Sequence, residues 1–159
     1  MKIEFKSIGT IHSHFKKKEG MPIQSIGAKG IKGFIRIKKN YIAGLKDLDG
    51  FSHIYLIYYF HKSNGFELHV TPFLDNKPHG VFATRVPKRP NSVGISVVKL
   101  LSIKKNILEI ENVDIIDGTP LLDIKPYIPQ FDIHSVDKNG WVGQKADNLN
   151  DILSDNRFE

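Results

Sequence analysis

Cysteine is absent from the 159-residue chain, which excludes disulfides, thiolate metal sites and thiol nucleophiles together. A reducing compartment suits that composition. Long apolar runs are missing as well. The longest, from Ile54 to Phe60, falls far short of the roughly 20 residues that a membrane-spanning helix needs. The opening Met1-Lys2-Ile3-Glu4-Phe5-Lys6 alternates charged with apolar groups and lacks the continuous apolar core of a signal peptide. No low-complexity tract or block repeat stands out. The one glycine-rich candidate, Gly27-Ala28-Lys29-Gly30, has no strand before it and no helix after it, so the sequence shows no dinucleotide fingerprint. A cytoplasmic protein without a membrane segment is expected.

What is present suffices for one sizeable core: 40% of residues are hydrophobic and ten are Phe. Lys and Arg outnumber Asp and Glu by 23 to 17, a net charge of +6, which biases the surface toward polyanions such as nucleic acid. The clusters Lys16-Lys17-Lys18, Lys38-Lys39 and Lys104-Lys105 read first as solvated faces and second as phosphate contacts.

Ile31, Gly33, Ile35 and Ile37 alternate with Lys32, Phe34, Arg36 and Lys38, and Leu108 and Ile110 with Glu109 and Glu111. This is the period of half-buried strands. Further strand-like runs cover residues 3–11, 51–60, 66–71, 81–84, 94–103 and 113–116. Helical periodicity is scarce, with one turn expected around Leu45 to Leu48 and another over Leu149 to Leu153. Many short strands with few helices favour closure, since a closed sheet has no exposed edge. The sequence therefore predicts a mostly β protein: a small antiparallel β-barrel with a few short helices. The barrel is expected over residues 1–131, with 132–159 a short polar extension packed on it or trailing it.

Two segments carry chemistry. Phe82-Ala83-Thr84-Arg85-Val86-Pro87-Lys88-Arg89-Pro90-Asn91-Ser92-Val93-Gly94-Ile95-Ser96 sets two arginines among prolines. Proline fixes φ and removes donors, so the stretch reads as a stiff loop able to hold guanidinium groups in place. On local chemistry it serves equally as a surface connection with arginine ion pairs. The second is Asp117-Gly118-Thr119-Pro120-Leu121-Leu122-Asp123-Ile124-Lys125-Pro126-Tyr127, where Asp-Gly opens a tight turn and Asp123 and Lys125 place opposite charges near each other. That pair can equally neutralise itself.

Together the segments resemble the signature of the TsaA-like (TrmO) family, whose members carry patterns close to F-x-T-R-x-P-x-R-P-N-P-I-G-L-S and D-G-T-P-x-x-D-I-K-P-Y, in the same order and at compatible spacing. The resemblance covers most of residues 3–131; the longer C-terminal extension of many bacterial members has no counterpart. It implies a β-barrel fold, a homodimer with S-adenosylmethionine near the subunit interface, and methylation of the exocyclic nitrogen of N6-threonylcarbamoyladenosine at position 37 of tRNA. Carried over by position, the cofactor candidates are Pro22, Ile23, Gln24, His61, Lys62, Arg85, Ile95, Asp117, Gly118, Thr119 and Pro120. The acidic turn can hold the methionyl ammonium, Arg85 its carboxylate and Ile95 the adenine. Arg89 and Asn91 are expected at the substrate. Three departures stand out: Ile23 where arginine is usual, Ser92-Val93 for Pro-Ile, and Ile95 for Leu. The first removes a charge near the expected pocket and bears on substrate identity.

Methyl transfer from a sulfonium needs in-line approach of the nucleophile and an exit for its proton. Asp123, Asp117, His61 and Tyr127 are the residue types able to take or relay it; Asp123 is the expected base, with Lys125 and Tyr127 orienting the substrate. No metal is expected, because of the histidines considered only His12 and His14 lie close in sequence. Trp141, Tyr55, Tyr58 and Tyr59 read as core and stay outside the expected site. Two rival readings remain: a non-catalytic nucleotide- or RNA-binding barrel, and a methyltransferase of the same family with a different acceptor.

Overall fold

The structure is a computed structural model that describes residues 1–143 and 153–155. Six strands close into an antiparallel barrel: β1 (Gly9–His12), β2 (Lys32–Ile37), β3 (His53–Tyr59), β6 (Val93–Lys104), β7 (Ile107–Glu111) and β8 (Thr119–Pro126). Around the barrel the order is β1-β2-β7-β6-β3-β8, with β8 returning to β1. Two-residue strands β4 (His69–Val70) and β5 (His79–Gly80) form a separate hairpin.

Alternation explains the closure. In β2 the residues Ile35 and Ile37 point inward while Lys32, Phe34 and Arg36 face out, and in β3 Ile54, Leu56 and Tyr58 are the buried set. Register keeps the inward sets together: Ile11 pairs with Ile35, Ile35 with Leu108, Leu100 with Ile110, and Ile54 with Val98. Ile11, Ile35, Ile54, Leu56, Leu108, Ile110 and Leu121 are wholly buried, and a one-residue slip in any strand would turn its apolar set to solvent. A second small cluster, Val70, Val81 and Val86 with Phe73 against it, anchors the long connection between β3 and β6.

The expected barrel is present, but several elements differ from the expectation. The first strand covers only Gly9–His12, and Ile3 and Phe5 are exposed. Residues 66–71 contribute only the two-residue β4, residues 81–83 form a 3-10 turn, and 113–116 lie outside any strand although Val113 and Ile115 are buried. Alternation persists in such segments because one face packs, while no neighbour offers a ladder. Conversely, β8 forms over the second chemistry-bearing segment, which is not among the expected strands, and it contains Pro120 and Pro126. These prolines sit near the two ends of the strand, where a missing N–H is tolerated. The expected turn near Leu45 is a pair of 3-10 helices, Lys39–Leu45 and Leu48–Gly50, and one α-helical turn, Pro129–Asp132, follows β8. Of the turn expected over Leu149 to Leu153, only Leu153 lies within the described residues.

Among the described residues, the extension packs on the connections around the barrel. Trp141 stacks on His79 with centroids 4.4 Å apart and donates its indole N–H to the Ala83 carbonyl at 2.7 Å. Farther on, Ser154 exchanges backbone hydrogen bonds with Gly20 and Met21, and Leu153 bridges to Pro22.

Gly94 has a steric reason to be glycine. It lies opposite Tyr58 across the β3–β6 ladder, and a Cβ there would stand 2.4 Å from the Tyr58 ring and 2.8 Å from that of Phe60. Gly94→Ala is expected to lower stability by about 1–3 kcal/mol through overpacking. A urea midpoint equal to that of the wild type would show that both rings yield without cost.

Candidate functional site

At one end of the barrel lies a cavity of about 1040 Å³, at the upper end of the range that encloses small-molecule ligands. Its wall is assembled from the segment around Pro22, the end of β3 and the loop after it, the proline-rich loop before β6, the β7–β8 connection, and the extension at Trp141 and Ser154. The barrel brings these distant segments together.

The proline-rich loop is held by its own side chains. Thr84 is buried and donates to the Val81 carbonyl at 2.8 Å; Arg89 donates to the carbonyls of Thr84 at 3.1 Å and Val86 at 3.4 Å. Arg89 is therefore a brace of the loop as well as part of the wall. Arg85 instead reaches across to the first segment, donating to Gln24 Oε1 at 3.0 Å. The rest of its guanidinium keeps donor capacity for an anion.

The Asp117 turn is engaged by neighbouring residues of the chain. Its carboxylate lies 3.1 Å from His12 Nδ1 and accepts from the Ser13 backbone N–H at 3.2 Å and from Lys16 at 2.6 Å. The Lys16 hydrogen bond leads in holding this carboxyl below its ordinary range. Gly118, at φ +78°, donates its N–H to the Ile11 carbonyl. The turn thus fastens the segment after β1 to the start of β8, and of its four residues only Thr119 is in the cavity wall. Thr119 donates to the Ile116 carbonyl at 2.7 Å, and its hydroxyl lies 3.3 Å from His61 Nδ1. Burial, with Lys62 beside it, lowers the His61 imidazole from its usual value.

Of the residues singled out in the sequence, the cavity gathers Pro22, Ile23, Gln24, His61, Lys62, Arg85, Arg89, Asn91, Ile95 and Thr119. Asp117, Gly118 and Pro120 are not part of the wall. Asp123, Lys125 and Tyr127 are not in it either. Asp123 pairs with Ile57 and Lys125 with Tyr55, on the face opposite to the inward Leu56. There Asp123 and Lys125 form an ion pair at 2.8 Å, and Tyr127 packs 5.5 Å from Tyr55. The two-residue spacing of Asp-x-Lys-x-Tyr set all three on one face, and that face is the outer one.

Sequence reasoning missed residues that the cavity includes. Tyr58 and Trp141, set aside as core, both line it. Ser63 lines it with a buried hydroxyl that has no hydrogen-bond partner among the described residues, an arrangement that costs stability unless a ligand completes it. Asp114 lines it, and its Oδ1 accepts from Ser96 at 2.7 Å. Ser96 in turn meets the buried Tyr58 hydroxyl at 3.0 Å. Burial pushes the Asp114 carboxyl up to about 6, against the pull of Ser96 and Arg85. The available signal was a lone acidic residue inside the apolar run Val113-Asp114-Ile115-Ile116. Among the described residues, no three His, Asp or Glu side chains gather as metal ligands.

Known proteins resemble this chain in sequence and in fold. The profile of the tRNA-methyltransferase O N-terminal domain matches residues 10–133. A Pyrococcus abyssi protein named as a probable S-adenosyl-L-methionine-binding protein is 49% identical, over 97% of this chain and 84% of its own length. The mouse tRNA (adenine(37)-N6)-methyltransferase is 36% identical over 79% of this chain but 31% of its own. The crystal structure of TrmO from Pseudomonas aeruginosa superposes with a TM-score of 0.75 at 34% identity, over 89% of this chain and 63% of that one. The chain thus spans under a third of the mouse enzyme and under two thirds of the Pseudomonas chain.

The environment of Asp114 makes a stability prediction. Its folded value, about 6, exceeds the ordinary 3.8, so the penalty for burying the charge is absent at low pH, grows as pH rises through that interval, and stays constant above it. Asp114→Asn carries no such charge and can still accept from Ser96. Its melting temperature relative to the wild type is expected to climb by a few degrees between about pH 4 and pH 6.5, then level off. A pH-independent difference would mean that the carboxylate is as well solvated as in the unfolded chain.

Proposed function

The chain belongs to the family of the tRNA-methyltransferase O N-terminal domain, and from that premise we propose that it methylates the exocyclic nitrogen of N6-threonylcarbamoyladenosine at position 37 of tRNA, with S-adenosylmethionine as donor. The observation that carries this reading is the cavity: it gathers, from separate segments, Gln24, His61, Lys62, Arg85, Ile95 and Thr119, which the family resemblance assigns to the cofactor.

The wall suits that group chemically. Arg85, positioned by Gln24, offers a forked cation to a carboxylate. The orphaned Ser63 hydroxyl offers a hydrogen bond, and Ile95 and Phe82 offer apolar surface to a purine. Bound there, S-adenosylmethionine supplies an electrophilic methyl group on a sulfonium. The residues of the chain hold it, orient the acceptor and keep bulk water from the reacting atoms. Lys18, Lys62, Arg85 and Arg89 make the wall rich in cations, which suits an RNA phosphate backbone and agrees with the net charge of +6. Asp123, Lys125 and Tyr127 remain candidates for contact with the acceptor or with a second subunit from the outer face.

The reading includes a homodimer with the cofactor near the interface. Ile26, Phe82 and Ile95 support it: they are 65%, 77% and 50% exposed, all belong to the cavity wall, and such an apolar rim is suited to burial against another chain. It also includes a cytoplasmic location, where tRNA is modified. The name of the Pyrococcus relative extends only to binding S-adenosylmethionine, which favours a barrel that binds without catalysis as the second reading.

Mass spectrometry of tRNA nucleosides after incubation with the protein and labelled S-adenosylmethionine separates these readings. A labelled methyl on threonylcarbamoyladenosine is the expected result; label on another nucleoside would replace the acceptor, and cofactor binding without label would leave the binding barrel. Arg85→Ala is expected to weaken S-adenosylmethionine binding about 10–100-fold by leaving a carboxylate without its charged donor. Unchanged affinity in calorimetry would remove Arg85 from the cofactor site.

A further inference from the structure

The carboxylate best placed to take a proton inside the cavity is neither of the two in the Asp-Gly-Thr-Pro-x-x-Asp motif. Asp114 stands in the connection between β7 and β8, between buried Val113 and Ile115. It belongs to the cavity wall, as does Tyr58 from β3, while Ser96 from β6 lies behind them at 5% exposure. The three are joined in series, Tyr58 to Ser96 at 3.0 Å and Ser96 to Asp114 at 2.7 Å. A serine hydroxyl has a single proton. With that proton given to Asp114, its oxygen accepts from Tyr58, and the chain of donors ends on the carboxylate.

Two features set Asp114 apart from the other acidic candidates. Among the described residues it has no Lys, Arg or His nitrogen at ion-pair distance, whereas Asp117 is engaged by Lys16 and His12, and Asp123 by Lys125. A buried carboxylate kept for structure alone is ordinarily paired with a cation. In addition, the side-chain hydrogen bond to Asp114 comes from a hydroxyl, that of Ser96, which can both donate and accept and so follow its change of protonation.

We propose that Asp114 is the base that removes the proton from the acceptor nitrogen during methyl transfer, with Ser96 and Tyr58 as its positioning residues. The inference rests on the methyltransferase reading. The nitrogen lone pair forms the new bond to the methyl carbon as the carbon–sulfur bond breaks and its electron pair stays on sulfur. The N–H proton passes to the Asp114 carboxylate. A thioether, a methylated nitrogen and a carboxylic acid result, and the acid returns its proton to water once the products leave.

The ionisable groups acting on Asp114 are Tyr58 from β3 and Arg85 from the loop before β6; the same wall also carries Lys18, His61, Lys62, Arg89 and Asp155. Burial raises the Asp114 carboxyl to about 6, where it is ionised at neutral pH yet takes a proton readily. Removing the Ser96 hydroxyl withdraws a bond that favours the ionised form, so Ser96→Ala must move the value upward.

The test combines a titration with kinetics. In the protein without cofactor, carbon-13 NMR of the Asp114 carboxyl is expected to titrate near 6, and higher in Ser96→Ala. The turnover number of the wild type should rise with pH through the same value and then level off, with the inflection moved up in Ser96→Ala. Asp114→Asn should lose about 10²–10⁴ in turnover while calorimetry shows the cofactor bound with wild-type affinity. Wild-type turnover in Asp114→Asn, or loss in Asp123→Asn with Asp114→Asn spared, overturns the proposal. If Asp114→Asn fails to fold, the decision falls to Ser96→Ala: an unmoved pH profile overturns the assignment and a shifted one supports it. Absence of methyl transfer by the wild type would remove the proposed function and the base with it, whereas transfer undiminished in Asp114→Asn would remove the base alone.

Discussion

Closure of the barrel by β8 is the constraint on which the rest depends. The strand pairs with β1 through Thr119, Pro120 and Leu121, and with β3 from Leu121 to Pro126. Without it, β1 and β3 would each present an unpaired edge, and the buried Leu121 would leave the core. The same strand begins at the Asp117 turn, whose carboxylate binds the backbone of Ser13 and the side chain of Lys16. One short segment thereby fixes the entry to β8, the exit of β1 and the position of Thr119 in the cavity wall.

A site at the end of a closed barrel needs wall beyond what the strands provide, and most of it comes from the connection between β3 and β6. That connection is long, and a long loop without a core of its own would be mobile. Here Val70, Val81, Val86 and Phe73 form a satellite core under it, and Arg89 ties its turns together through the carbonyls of Thr84 and Val86. Arg85 can then point across to Gln24 from a fixed base. The stiffness expected from Pro87 and Pro90 is joined here by apolar packing and an arginine clamp.

The barrel class was legible in the sequence because alternation is a direct trace of one buried face, as Ile35 and Ile37 or Leu108 and Ile110 illustrate. Most cofactor candidates from the motifs do meet in one cavity. What local pattern could not convey was orientation. Asp123, Lys125 and Tyr127 were expected at the reacting atoms, yet strand parity and the β-bulge between Ile57 and Tyr58 decide which face they occupy, and both are properties of the paired sheet. Tyr58 combines two places: an aromatic residue in an apolar run reads as core, and it is buried at 5% exposure, yet it also borders the cavity. The strand β8 was missed because Asp123 and Lys125 interrupt its apolar alternation, which runs only through Thr119 and Leu121 on the buried face.

Asp114 and Asp117 show how one loop can give two carboxylates opposite characters. They are three residues apart in sequence. Asp117 faces Lys16, the Ser13 amide and His12, and its charge is stabilised by all of them; a carboxylate so committed has little left to offer a substrate. Asp114 turns to the cavity, exchanges a cation for a serine hydroxyl, and is pushed in the other direction by burial. Acid and base roles are commonly divided by environments that drive two titrating groups apart, and here the division follows strand pairing: Asp117 is drawn toward the end of β1, and Asp114 toward β6 through Ser96. Stability alone would favour an apolar residue or an amide at position 114, since burying an unpaired charge opposes folding at neutral pH. Proton uptake at the cavity wall is a use for that residue that offsets the cost, which is why the geometry of Tyr58, Ser96 and Asp114 reads as chemistry more readily than as packing.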